Sequence, residues 1–394
     1  MAEQFDIVII GGGLAGATCA LSIARYAPDL TIAVVEANQP SDDYHPSFDE
    51  RSIALAQQSV QFLQANKIFD PQGDFAAAIK HVSVSDRGHF GKTHIDCDEF
   101  GQNALGYVVE VNPFGRSLHN QLINTSVKLF CPDTVTSLNY QVNVAQLALQ
   151  SGAELTAKLV IIADGAKSPT RQLANINFTT EPYSQAAIIA NIEVAGGHHN
   201  HAFERFTEHG PMALLPMSKN RYSLVWCMEP EQIKQNMALD DDAFIMALQN
   251  AFGYRAGQFV KAGVRASYPL VYGRADSLHS HRTLLIGNAG HAIHPIAGQG
   301  FNLGLRDVQV LCDLIQGEHE IGSYAFLRQY AQQRSQDINT VMTLTDSLVR
   351  LFSNSSRMLA LGRSCGLFTM DLCSSLKAPL AKQLMGQVKQ GKRL

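Results

Sequence analysis

The stretch Phe5-Asp6-Ile7-Val8-Ile9-Ile10-Gly11-Gly12-Gly13-Leu14-Ala15-Gly16 constrains this chain more than any other. Its mostly β-branched apolar run predicts a strand buried on both faces of a parallel sheet, with helices covering each side. Gly11, Gly13 and Gly16 then fall on the G-x-G-x-x-G spacing. The first glycine makes a tight turn, the second lets a pyrophosphate approach the backbone, and the third lets helix and strand pack closely. The amides of Ala15 and its neighbours, at the start of the next helix, would hold the phosphates. A second apolar strand over 31–35 ends in Glu36, 20 residues past Gly16. A carboxylate there accepts hydrogen bonds from an adenosine ribose and repels a 2′-phosphate. Together these features predict a dinucleotide site suited to FAD or NAD rather than NADP.

The chain of 394 residues has room for two domains and a large core. With 46% hydrophobic and 17% charged residues its composition is that of a globular protein. A net charge of −4 without blocks of like charge excludes nucleic acid as a partner. Seven cysteines with no C-x-x-C pair predict reduced thiols and a cytoplasmic protein. The first strand starts near residue 5, leaving no room for a signal peptide. No apolar run reaches the about 18 residues of a membrane span.

Further along, Arg51 leads into an apolar segment, where it either faces the pyrophosphate or pairs with Asp49 or Glu50. A third apolar strand over 158–163 enters Asp164-Gly165, followed by Ser168-x-x-Arg171. This is a polar turn at the carboxyl edge of a parallel sheet, where ligands bind, or else a plain turn with Ser168 as a helix cap. Between 186 and 270 the pattern changes to short alternating strands, predicting an inserted antiparallel sheet. A strand over 282–286 then runs into Gly287-Asn288, Pro295 and Gly298-Gln299-Gly300-Phe301-Asn302, ahead of a long helix. His198, His199 and His201, and the pair His291 and His294, lack the further ligands of a metal site. Helices with apolar stripes close the chain, and Lys377, Lys382, Lys389, Lys392 and Arg393 gather there. They form either a packed cap or a surface for a membrane or partner.

The three turns in this order resemble the flavin-dependent aromatic hydroxylases of the para-hydroxybenzoate hydroxylase type, over nearly the whole chain. Arg51-Ser52-Ile53-Ala54-Leu55, the 203–211 segment and the 294–304 segment are most similar to the ubiquinone-biosynthesis hydroxylases. The resemblance implies an α/β fold in three parts. An FAD-binding domain takes 1–78, 100–182 and 272–340; a substrate-binding antiparallel sheet takes 79–99 and 183–271; C-terminal helices take 341–394. It implies FAD on Gly11, Gly13, Ala15, Gly16, Glu36, Arg51, Asp164, Gly287, Asn288, Pro295, Gly298, Gln299, Gly300 and Asn302, with no metal. The wider family carries Asp at position 288; the amide of Asn288 still accepts a ribityl hydrogen bond, about 1 kcal/mol more weakly. That Asn marks the branch acting on 6-methoxyphenols. NADPH as a transient reductant, O2 and a prenylated phenol follow from the same resemblance. So does peripheral placement at the inner membrane face beside other ubiquinone-biosynthesis proteins. Phe203, Phe206, Leu214, Leu215 and Trp226 are the apolar surface expected to bury the ring. No catalytic base is singled out among the 14 histidines. A sister ring hydroxylase, a flavin-linked reductase and a non-catalytic subunit stay open as rivals.

Overall fold

A computed structural model describes residues 2–39, 51–293, 298–317, 320–352 and 357–387. Its centre is a parallel sheet in which Glu3–Ile10 lies between Ile32–Val35 and Glu154–Ile162, with Thr283–Leu285 and Lys128–Phe130 outermost. Alternation along these strands divides their side chains between two cores. Ile7, Ile9, Ile32, Val34, Leu159 and Ile161 face helices Leu14–Tyr26, Val111–Ile123 and Gln299–Ile315. Val8, Ile10, Ala33, Val35, Val160 and Ile162 face the other way, over the antiparallel extension Val135–Tyr140 and Ala145–Leu149. Both faces are covered, as the unbroken apolar runs require.

The second sheet has nine strands and is antiparallel except where His201–Thr207 runs parallel to His81–Asp86. It takes in the hairpin His81–Asp86 and Lys92–Asp96 and the strands between 178 and 275. Phe178–Val194 and Ala266–Ala275 run across the boundaries expected at 182 and 271. The two strands pair with each other from Phe178 against Ala275 to Ile189 against Ala266, with one shift of register between Pro182 and Ala186. One face of the sheet, with Leu214, Leu224 and Trp226, is sealed by helices Pro230–Met237 and Asp241–Phe252. A small sheet of Ser52–Ala56, Gly106–Glu110 and Ala76–Ile79 links the two large ones.

Helices Tyr324–Phe352, Arg357–Leu372 and Ser374–Leu384 close the fold over the hairpin at 81–96. Arg363 pairs with Asp86 at 3.1 Å, both buried, and Asp371 accepts the His94 amide at 2.8 Å. A Cβ on Gly91 would stand 2.5 Å from the Ser364 Cα, so helix and hairpin touch through backbone. Among the described residues no helix is long and apolar enough to cross a membrane.

Candidate active site

At the first turn, Gly11 sits at φ +98° and donates its amide to Val35 O at 2.8 Å. Gly16 has no room for a side chain, since its Cβ would lie 1.8 Å from Gly11 O. Gly13 is the opposite case. It is exposed, has an ordinary φ of −63°, and a Cβ there would meet nothing within 4 Å. It precedes helix Leu14–Tyr26, which has no side-chain cap and no acidic residue in its first turn. The first-turn amides are thus available to an anion, with the helix dipole behind them. Glu36 closes the turn, accepting from Gly12 N at 2.5 Å and Asn38 N at 2.9 Å.

The second turn backs onto the first. The space a Cβ on Gly11 would need is filled by Ala163 O at 2.7 Å and Asp164 Cα at 2.9 Å. Asp164 accepts from Thr170 N through Oδ2 at 3.3 Å, while its Oδ1 is buried without a hydrogen-bond partner. Ser168 does cap helix Pro169–Leu173, accepting from Arg171 N at 2.9 Å. Arg171 has a further task, since its guanidinium donates to Ala166 O at 3.0 Å and Ala289 O at 2.9 Å. It ties the second turn to the third.

The third turn is held from beneath by a buried ionic network. Asp307 accepts from Gly287 N at 2.8 Å, His291 Nε2 at 2.7 Å and Arg334 Nε at 2.6 Å. Arg334 also pairs with Asp337 at 2.6 Å, and Arg306 donates to Asp337 at 2.8 Å. Burial alone would raise the Asp307 carboxyl. The charges of His291 and Arg334, with hydrogen bonds from His291 and Gly287, outweigh that and hold it below the usual carboxylate range. Gly287, at φ +57°, reaches the first turn, where its Cβ would touch Ala15 Cβ at 3.4 Å. Asn288 follows on the open side of the turn, with its side chain exposed.

The structure therefore brings together Gly11, Gly13, Ala15, Gly16, Glu36, Asp164, Gly287 and Asn288. Other expected site residues are directed elsewhere. Asn302 holds protein backbone, accepting from Ala56 N at 2.8 Å and donating to Ala54 O and Gly298 O at 2.7 Å. Gln299 accepts from Arg306 at 3.2 Å. Gly298 begins the helix in the left-handed region, its Cα against Ala54, while the Gly300 Cα faces open space. Arg51 is exposed at the start of strand Ser52–Ala56. Pro295 and His294 lie outside the described residues, as do Asp49 and Glu50. His291 serves Asp307, and no cluster fit to hold a metal ion exists among the described residues.

Beside Gln299 and Asn302 opens a cavity of about 500 Å³. Strand residues Ala54, Val84 and Phe206 and helix residues Leu344, Leu367 and Met370 are among its lining. Phe206 and Leu215 reach it as expected and Phe203 borders it with its ring packed among Tyr222 and Phe252 on the other face, but Leu214 and Trp226 do not reach it. Those two occupy the opposite face of the sheet, because side chains on a strand alternate and Leu214 pairs with Leu224 beneath the helices. The terminal helices supply much of the wall, with Gly362 and Gly366 turned to it, so their packing face is a site face. Lys377 is not part of a basic surface: it is 6% exposed and pairs with Glu99 at 2.9 Å. Lys382 is exposed, whereas Lys389, Lys392 and Arg393 lie outside the described residues.

A bare phosphate-sized approach at Gly13 and an orphaned buried acceptor at Asp164 fit a dinucleotide with hydroxyl groups, as FAD is. The FAD binding domain family matches residues 4–345. The fold is that of p-nitrophenol 4-monooxygenase PnpA from Pseudomonas putida, with a TM-score of 0.79 over 100% of both chains at 16% identity. The chain thus has the fold of a flavin-dependent monooxygenase and belongs to the FAD binding domain family. Ubiquinone hydroxylase UbiL of Rhodospirillum rubrum is 32% identical over 98% of this chain and 90% of its own. The 3-demethoxyubiquinol 3-hydroxylase of Escherichia coli is 29% identical over 98% and 99%. The chain belongs to the family of ubiquinone-pathway FAD monooxygenases.

Proposed function

We propose that this enzyme uses NADPH and O2 to hydroxylate a 2-polyprenyl-6-methoxyphenol to the corresponding 1,4-benzoquinol. The observation that carries the reading is the apolar cavity beside Gln299 and Asn302, roomy enough for a substituted ring and part of its chain. Two glycines on one face of helix Arg357–Leu372, Gly362 and Gly366, keep the wall thin where an isoprenoid tail would leave. The choice of ring position rests on Asn288, the mark of the methoxyphenol branch.

FAD would rest its adenosine and pyrophosphate on Gly13, the first-turn amides and Glu36, and its ribityl chain near Asp164 and Asn288. Bound flavin supplies the activation of O2 that no side chain can provide. The residues of the chain bind and orient. The sheet and terminal helices exclude water from the ring, and the Asp307 network fixes the turn that carries Asn288. In a strain lacking the protein, the methoxyphenol precursor is expected to accumulate under air while ubiquinone falls, as read by mass spectrometry of lipid extracts. Accumulation of a later, 1,4-oxygenated ring would move the assignment to a sister hydroxylase, and unchanged ubiquinone would reject the pathway.

A prenylated phenol resides in a bilayer, so we infer peripheral docking at the inner membrane face through the terminal helices. Leu361, Phe368, Leu372 and Leu376 are 60%, 48%, 73% and 50% exposed, on the helices that wall the cavity. Exposed apolar groups in such a cluster mark an interaction surface. Phe368→Ser combined with Leu372→Ser should shift the protein away from vesicles containing anionic lipid in flotation assays. Unaltered flotation would reject the docking face.

A further inference from the structure

Strand His201–Thr207 carries one acidic side chain into the cavity. Among the described residues that line it, Glu204 is the only carboxyl. Its accessible surface opens on the cavity, deep in the protein, and its side chain has no hydrogen-bond or ion-pair partner among the described residues. An unpaired carboxyl in an apolar wall weakens the fold unless a ligand partners it.

We propose that Glu204 is a catalytic residue that accepts the proton of the phenol hydroxyl when the ring occupies the cavity. This rests on the hydroxylase reading above. The phenol O–H bond breaks, a new O–H bond forms on the Glu204 carboxylate, and the electron pair left on oxygen enriches the ring carbons that must attack an electrophilic oxygen. The proton passes from Glu204 to water when the product leaves.

The environment suits the task. Burial pushes the Glu204 carboxyl up to about 8. An ordinary carboxylate is about six powers of ten too weak a base for a phenol near 10, and a group near 8 only about two. The charged and titratable groups around it are accounted for. Asp86 of strand His81–Asp86 and Arg363 of helix Arg357–Leu372 pair with each other. Cys227 of strand Arg221–Met228, beyond Gly210–Met217 in the sheet, is a thiol pushed up by burial and by Glu204. Burial lowers His201 to about 4, and Arg205 lies over the Phe252 ring beneath the sheet.

The test uses the FAD-loaded enzyme, a prenylated methoxyphenol, and the variants Glu204→Gln and Glu204→Asp, with flavin content as the check on folding. For the wild type, kcat/KM should rise with pH through about 8; Glu204→Gln should lose that limb and fall about 100-fold or more, and Glu204→Asp should keep it. A second readout needs no turnover. Ultraviolet difference spectra, titrating the phenol without O2, should show binding that tightens with pH through about 8 in the wild type, where the ionised carboxylate accepts the phenol O–H, and not in Glu204→Gln. If Glu204→Gln fails to retain flavin, the pH limb and spectrum of Glu204→Asp decide: a limb lost there overturns the assignment. Glu204→Gln with kcat/KM within about threefold of wild type and an unchanged limb overturns the base and leaves the hydroxylase reading standing. A wild type that neither binds nor hydroxylates the phenol overturns the hydroxylase reading itself.

Discussion

Replacing Asp307 with alanine is expected to destabilise the protein by about 3 kcal/mol and to strip it of FAD. Asp307 is 1% exposed and its two oxygens serve Gly287, His291 and Arg334. Without it, the Gly287 amide and the His291 ring are left in the interior with no acceptor. Arg334, also buried, keeps Asp337 at 2.6 Å, which places the cost at the lower end of the range for breaking a buried pair. Flavin loss follows because the Gly287 amide is the point at which the network grips the turn carrying Asn288. Urea unfolding of the apoprotein measures the first effect, and flavin absorbance after gel filtration the second. A variant as stable as the wild type, with full flavin, would show that the carboxylate does not hold this turn.

The sign of the pH dependence follows from the same contacts. The folded Asp307 carboxyl lies below its unfolded value, so its stabilisation is complete above about pH 4 and is lost as pH falls through the folded value. The stability gap between wild type and Asp307→Asn should therefore be constant near neutrality and narrow in acid.

The three turns are legible in the sequence because each is local. A buried strand, a tight turn and a helix start within a dozen residues, Gly11 and Gly16 occupy positions that steric contacts deny to a side chain, and Gly287 takes a left-handed φ of +57°. What joins the turns is not local. Arg171 meets Ala289, Asn302 meets Ala54 and Ala56, and Asp307 meets Arg334, each through hydrogen bonds between segments far apart in the chain. One signal does exist: Asp307 is a charge set among Leu303, Leu305, Val308 and Leu311 on a buried helix, and such a charge needs a partner. Glu204 carries no comparable mark. An acid in a strand of alternating character reads as a solvent-facing position, and only the terminal helices, arriving from more than a hundred residues away, turn its side of the sheet into a cavity wall. The same folding-over hides the role of those helices, whose apolar faces look alike from the sequence whether they meet core, cavity or lipid.

Two glycines of the first turn should fail in different ways. Gly13→Val is expected to leave the apoprotein within about 1 kcal/mol of wild type, because its backbone is at an ordinary φ and nothing lies within 4 Å of the new Cβ. What it should lose is FAD, since the branched side chain fills the space through which a pyrophosphate reaches the helix amides. The stability that cofactor adds to the wild type, about 2.7 kcal/mol at a free concentration 100 times the Kd, should then vanish. Gly16→Ala should lose stability with or without cofactor. Its Cβ would stand 1.8 Å from Gly11 O, so helix Leu14–Tyr26 must back away from the strand it covers. That helix buries eight consecutive residues from Gly16 to Ile23 against the main core, so a shift there is expected to cost about 3 kcal/mol or more. Thermal unfolding of both variants, with and without FAD, separates the two behaviours. If Gly13→Val still gained stability from FAD, the pyrophosphate would not lie at this turn; if Gly16→Ala matched the wild type without FAD, the close packing of helix on strand would not be what the third glycine serves.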